Sequence, residues 1–434
     1  MDEDMGYDFS LDTPAGTTWS GSHSYTAAAV HHPRTVEEVA ELVRRGPVRA
    51  IGTGHTFNLL ADGPEQLSLD ALKDEPVLNP TTRSVTVPGG MRYGELAVWL
   101  DNRGWALHNL ASLPHISVAG AVATGTHGSG NNLGSLATAV AGLELVDGRG
   151  ELVQLERGDV DFPGAVVSLG ALGVVTSLTL DVEPTYQVSQ MVYHDVPWDR
   201  FDYDEATEAG DSVSLFTSWT GDVIPSVWVK RRGEARYPTT LLGGWRQITD
   251  VHPTRTQSAE NTTPQCGVPG PWHERLAHFR LGFTPSTGAE LQTEYLLPRD
   301  AAPAAFAALR QLGEGNLSAE LARLLIISEV RSVAADDLWL SGAYGRPTVG
   351  IHLTWHLDVP GVTALLPHLD AVLLPLGARP HWGKLHLQTA AELAPLYPHF
   401  SDFHVMRGRF DPTGRFSSSY LDVCLSIRPV TVSP

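Results

Sequence analysis

From Ala111 to Gly130 the chain reads ASLPHISVAGAVATGTHGSG, twenty positions in which small side chains and hydroxyls outnumber everything else. A packed helix would use larger apolar residues, and a solvated loop would use more charge. A backbone this bare can be laid along a diphosphate or a flat ring, with its N–H groups turned towards the ligand. The run lacks the G-K-[ST] ending of a P-loop and the G-x-G-x-x-G spacing of a dinucleotide turn. A glycine-rich turn with no ligand is the other reading these residues allow.

A second candidate is Ile51-Gly52-Thr53-Gly54-His55-Thr56-Phe57-Asn58. VRAIGTGH reads as a short apolar strand entering a glycine turn, so His55 falls at a strand end, where ligands often lie. A loop histidine bonded only to its neighbours fits the octapeptide equally well. Around these motifs strands and helices alternate. HPRTVEEVAELVRR predicts an amphipathic helix with Val36, Val39, Leu42 and Val43 on one face. SVTVPGG predicts a strand, MRYGELAVWLDNRGWAL a helix ended by Gly104, and LATAVAGLELVDGRGELVQL a hairpin turning at Asp147-Gly148. LGALGVVTSLTLDVEP follows as a glycine-interrupted turn into a long strand.

After Pro184 the texture changes. Most of the tryptophans lie here, and LLIISEVRSV and VGIHLTWHLD alternate as strands of a mostly antiparallel sheet. AAPAAFAALRQL and GVTALLPHLDAVLLPL read as covering helices, TRTQSAENTTPQCGVPGPWH as a polar loop, and FDPTGRFSSSYL as a turn-rich tail. On a strand, Glu329 and Arg331 share a face, as do His352 and Thr354. Charged residues with apolar neighbours are costly to bury unless paired, so the Glu–Arg pair faces either solvent or a polar pocket. His352 and His356 stand at i,i+4, but Ile351 and Thr354 favour a strand over a metal-binding helix. Lys384, beside Trp382, reads locally as a solvated or stacking lysine.

The whole chain bounds these readings. It has 434 residues, enough for two domains, with 42% hydrophobic and 18% charged residues. The net charge of -19, from 49 acidic and 30 basic residues, disfavours nucleic acid and anionic membranes. Cys266 and Cys424 form neither a disulfide framework nor a C-x-x-C site. The acidic MDEDMGYDFSLDTPAG start lacks a signal-peptide pattern, and no apolar run approaches a membrane span, so a cytoplasmic setting is expected.

The GTGHTFN and SLPHISVAGAVATGTHGSG stretches resemble those of the vanillyl-alcohol-oxidase-type FAD proteins, and within them the alditol (xylitol) oxidases, from about residue 25 to Leu421. The resemblance implies an α+β flavoprotein: an N-terminal segment 1–24, an FAD-binding domain 25–187, a substrate domain 188–400, and a C-terminal segment 401–434 returning to the FAD domain. It implies covalent attachment of FAD, an 8α-histidyl bond through His55, with Ile51, Gly52, Thr53, Gly54 and Thr56 beside it. Ser117, Gly120, Thr124, Gly125, Thr126, His127 and Val174 would contact the cofactor, and Ser112 would lie where FAD and substrate meet. SEVRSVAADDLWLS, IHLTWH and RPHWGK look like the family's substrate strands, which makes Glu329, Arg331, His352, Thr354 and Lys384 its polyol-binding and catalytic residues. His356 has no counterpart and no metal is implied. The implied reaction takes xylitol or sorbitol to the aldose, with hydride passing from C1 to flavin N5, His352 or Lys384 assisting proton removal, and O2 reduced to hydrogen peroxide. Ala111 is small enough to leave oxygen a path. A sugar-lactone oxidase, an FAD-dependent polyol dehydrogenase and a non-catalytic flavin or sugar binder are the competing classes. A monomer is expected.

Overall fold

The structure is a computed structural model that describes residues 12–233, 235–282 and 289–426. The helix Val36–Arg45 forms where its sequence pattern demands it. The Thr35 side chain accepts the Glu38 N–H, Glu37 and Glu38 occupy the first turn, and Arg44 and Arg45 the last, which complements the helix dipole. Val39, Leu42 and Val43 are buried, at about 1.5–3 kcal/mol for each large side chain taken from water. They pack with Val48 and Leu67 beside a three-stranded parallel sheet of Val30–His31, Gln66–Ser68 and Arg49–Ile51, in that spatial order. The chain leaving Arg49–Ile51 enters the GTGHTFN turn.

A five-stranded antiparallel sheet runs in the order Val77–Asn79, Ser84–Pro88, Val174–Asp181, Val140–Val146, Leu152–Glu156. Its last pair is the hairpin expected from the Asp147-Gly148 signal. The second half builds a ten-stranded antiparallel sheet. At its centre Val223–Arg232, Ser212–Thr217, Leu325–Val333, Thr348–His356 and Glu290–Pro298 lie side by side. Alternation gives this sheet two faces. Val213, Leu215, Val227, Val229, Val330, Ile351, Leu353, Trp355, Leu291 and Leu297 pack under the helices Ala302–Glu314 and Val359–Leu373. The residues between them face the other way, towards the first half of the chain. The α+β class with a large antiparallel sheet and covering helices is as the sequence implied.

Two expectations need correction. The helix Val359–Leu373 and its continuation to Leu376 give 18 residues of mean hydropathy 1.5, so one stretch is by length and composition apolar enough to cross a membrane. In the structure Val362, Leu365, Leu366, Leu369 and Leu373 pack into the core against the sheet, and Asp370 accepts from Tyr295 Oη and Gln388 Nε2. Its apolarity serves that core. The tail, read as turns, contains the helix Ser419–Leu425, started by Ser418 accepting the Leu421 N–H. The helices Phe400–Phe410 and Ser419–Leu425 bury Phe403, Met406, Leu421 and Cys424 among the residues of the five-stranded sheet.

Candidate active site

A cavity of about 670 Å³ lies where the polar face of the large sheet meets the glycine-rich loops. That volume is in the range of sites for organic cofactors and small substrates. Of the residues singled out from sequence, all but Gly125 and Val174 line it. Val174 is fully buried in the core with Val39 and Val43, and strand alternation turns Val175 to the cavity instead. Gly125 adopts φ +67° just behind the wall, turning the chain so that Thr124 and Thr126 face inwards.

The loop side is a backbone cradle. A Cβ on Gly52 would collide with Ser117 Oγ, and one on Gly90 would penetrate the Leu69 carbonyl, 2.7 Å from its carbon. Ser117 immediately precedes the short helix Val118–Ala123, and Gly120 also has its open side against Ser117 Oγ. These walls have no room for side chains and suit a flat, polyanionic group pressed against main chain. His55 stands at the edge, stacked on Trp19 at 4.8 Å with the rings 19° apart. Its Nδ1 is 2.9 Å from Thr53 Oγ1. Burial, then the nearby Lys384, push its pKa down to about 4, so the ring is neutral and nucleophilic at pH 7.

The sheet side is a row of polar groups placed by register. Glu329 pairs across strands with His352, and His352 with Glu294. Arg331 lies opposite Gly350, whose missing side chain leaves space beside His127 and Glu294. Arg331 Nη2 donates to Glu294 Oε1 at 2.7 Å, and Nη1 to the His127 carbonyl at 3.2 Å. His127 Nε2 lies 3.1 Å from Glu294 Oε1. Glu329 Oε1 is 2.8 Å from His278 Nε2, and its Oε2 lies 3.9 Å from His352 Nδ1. Burial alone would raise both carboxyl pKa values, but Arg331 overcomes it and holds both well below the usual range. Two buried carboxylates and one guanidinium thus form one charge network. His352 Nε2 is buried, its ring lines the cavity, and it has no hydrogen-bond partner among the described residues. Burial lowers the His352 pKa while Glu329 pulls it back up. Thr354 and Gln292, opposite each other on the same strands, extend the row.

Lys384 comes from the segment after Arg379–Pro380, which continues along the Glu290–Pro298 strand through His381 N–H to Glu294 O (3.0 Å) and Leu385 N–H to Gln292 O (2.9 Å). Its ammonium donates to Gln292 Oε1 and lies 4.8 Å over the Phe57 ring. Burial pushes its pKa down to about 8, with Glu294 the largest influence in the opposite direction. Phe57 N–H donates to Gly383 O, and Asn58 Nδ2 to the Trp382 and Lys384 carbonyls, each at 2.8 Å. The loop of His55 and the loop of Lys384 are therefore stitched together. Ser112 also lines the cavity, its carbonyl accepting the His278 N–H at 3.2 Å. His356 is exposed at the end of its strand. Glu294, Gln292, His278 and Lys230 were not singled out from sequence.

The fold and the cradle define an FAD-binding flavoprotein of the vanillyl-alcohol-oxidase type. The family described as FAD binding domain matches residues 27–156, and that described as D-arabinono-1,4-lactone oxidase matches 288–424. Cholesterol oxidase from B. sterolicum shares the fold at 15% identity, with a TM-score of 0.75 over 95% of this chain and 96% of its own. Among curated relatives, the alditol oxidase of a Streptomyces species is 46% identical over 94% of this chain and 98% of its own. L-gulono-1,4-lactone dehydrogenase of Mycobacterium tuberculosis is 28% identical over 94% and 98%. The chain belongs to the alditol oxidase family.

Proposed function

We propose that this protein oxidises the terminal primary hydroxyl of an alditol such as xylitol or sorbitol to the aldose and delivers the electrons to O2, giving hydrogen peroxide. His55 would hold FAD through a covalent bond, and the bound flavin would supply the acceptor for the hydride of C1. The observation that carries this reading is His352 Nε2, an unpaired buried nitrogen in a cavity whose remaining groups are arranged for hydroxyls. A buried polar group left without a partner costs about 1–3 kcal/mol, so such a nitrogen points to a ligand.

Glu329, facing His352 Nδ1, favours the tautomer with hydrogen on that atom and a lone pair on Nε2. Nε2 can then take the proton of the substrate hydroxyl, and the resulting imidazolium faces the Glu329 carboxylate. The Lys384 ammonium stabilises negative charge developing on the substrate oxygen. Arg331, Glu329, Thr354 and Ser112 supply donors and acceptors for the other hydroxyls and hold the chain in one orientation. Gly52, Gly90, Ser117 and Gly120 leave bare backbone against which the cofactor would lie. The stacking of neutral His55 on Trp19 and its contact with Thr53 Oγ1 support reading it as the attachment point.

Peroxide release in air, measured across xylitol, sorbitol, mannitol, glycerol, a simple primary alcohol and an aldonolactone, tests the reaction. Strong signal from the C5 and C6 polyols is expected. The match of residues 288–424 to the lactone oxidases supports a sugar lactone as the alternative substrate, which signal from the lactone alone would establish. Acid precipitation tests the linkage: flavin should pellet with the wild-type chain and stay in the supernatant with His55→Ala.

A further inference from the structure

Behind Glu329 stand two buried titratable groups, Lys230 and His278, that take no part in the proton transfer just described. Lys230, 1% exposed, lies on the cavity-side face of the Val223–Arg232 strand. Its ammonium donates to the Leu276 carbonyl, to the Ala277 carbonyl at 3.4 Å and towards His278 Nδ1 at 3.0 Å. His278, 5% exposed, is wedged edge-on against the rings of Phe216 and Trp228. Its Nε2 meets Glu329 Oε1 at 2.8 Å, with Ser214 Oγ farther off at 3.4 Å.

The hydrogen positions along this line follow from the partners. Glu329 is ionised and only accepts, so His278 Nε2 must carry the hydrogen. A neutral His278 then presents a lone pair at Nδ1, which requires an N–H donor, and Lys230 is placed to give one. Burial pushes the Lys230 pKa down to about 7 while Glu329 pulls it back up. Charged or neutral it keeps an N–H for His278, and when charged its three N–H groups meet three acceptors. His278 is held neutral by burial and by the adjacent Lys230, its pKa down to about 4. The donor Lys230, the bridge His278 and the acceptor Glu329 therefore form a directed chain ending 3.9 Å from His352 Nδ1.

We propose that Lys230 and His278 are positioning residues that act through Glu329 to set the tautomer and basicity of His352. By drawing charge to Oε1, the His278 N–H reduces the pull of Glu329 on the His352 proton and leaves Nε2 free to accept at neutral pH. This inference rests on the reading of His352 as the proton acceptor. The charged groups around the chain are few. Lys230, Glu329 and Arg331 act on His278, and Glu329 acts on Lys230. Glu329, Lys384, Glu294 and Arg331 act on His352.

The test is anaerobic flavin reduction by xylitol or sorbitol, followed against pH in the purified holoprotein. Without the donor line Glu329 turns its full charge on His352, whose pKa rises, so the acidic limb of the rate profile should move to higher pH. In Lys230→Met and His278→Leu we expect that movement and a rate about tenfold lower at pH 7, the order of one lost charge-assisted hydrogen bond. His278→Gln, whose amide can donate to Glu329 and accept from Lys230 without titrating, should restore the wild-type limb. A merely structural role would lower rates uniformly, and an unmoved limb in both Lys230→Met and His278→Leu overturns the proposal. If one variant fails to load flavin, the other carries the same test. His352→Ala separates the two readings. A near-normal rate with the limb intact removes His352 itself as acceptor. Loss of the limb there, alongside an unmoved limb in Lys230→Met and His278→Leu, removes the relay alone.

Discussion

Glu294 is the group whose removal most sharply probes the charge network. It is 2% exposed, accepts from Arg331 Nη2 at 2.7 Å and sits 3.1 Å from His127. Glu294→Leu leaves the buried Arg331 charge with the His127 carbonyl at 3.2 Å from Nη1 and with Glu329 at 3.8 Å from Nε, too far for a hydrogen bond. Breaking a buried pair in this way costs about 3–5 kcal/mol. With an unfolding entropy of about 2.1 cal/mol/K per residue over 434 residues, Tm should fall by about 3–5 °C. Glu294→Gln is gentler, since the amide oxygen can still accept from Arg331. It exchanges a charge-assisted bond for a neutral one, a loss of about 1–2 kcal/mol.

The same Gln variant has a kinetic signature. Glu294 is the largest influence holding the Lys384 pKa up, against the burial that brings it to about 8. A nearby opposite charge is worth about 1–3 pKa units, so its loss should take Lys384 to about 7 or below. The active form of Lys384 is the ammonium, so rate is lost as pH rises through this pKa, and the variant loses it first. With pKa values of about 8 and 7, both enzymes are almost fully charged at pH 6, while at pH 8 the variant retains about one fifth of the wild-type fraction. The assay is the initial rate of flavin reduction at saturating polyol. A variant-to-wild-type ratio that is the same at pH 6 and pH 8 would refute the coupling of Glu294 to Lys384.

Three further outcomes are expected. Lys384→Met should slow flavin reduction by about 10²–10³-fold while flavin remains bound, and near-normal turnover would exclude Lys384 from the reaction. Gly90→Ala drives a Cβ into the Leu69 backbone, which cannot rotate away, so the flavin-to-protein absorbance ratio after purification should drop well below that of the wild type. Arg49 is buried and donates to the carbonyls of Leu60, Leu169, Gly170 and Phe416 at 2.7–2.9 Å. Arg49→Met strands those carbonyls and should cost about 3–5 kcal/mol, read as a fall in Tm; a change under about 1 °C would mean that the carbonyls find other partners.

What sequence could show of this molecule was set by how local the signals are. The helix Val36–Arg45 and the hairpin at Asp147-Gly148 carry their periodicity and turn chemistry within a few residues, and both formed as read. Period-two spacing likewise brought Glu329, Arg331, His352 and Thr354 onto the cavity face. That rule applied to ELQTEYLLP would have put Glu290, Gln292 and Glu294 on one face as well. Of these, Glu294 completes the network around Arg331, and the signal was present but unread. Lys230 is different in kind. It stands in VWVKRR directly before Arg231 and Arg232, and nothing within that hexapeptide distinguishes the lysine that is buried from the arginines that are not. Its burial comes from Ser212 opposite it and from the segment around His278, forty-eight residues away in the chain. A charge can be kept at such a depth only where distant chain supplies every partner it needs, and tertiary contacts of that kind leave no local trace. The residues that shape the reactivity of His352 are for this reason harder to read than His352 itself.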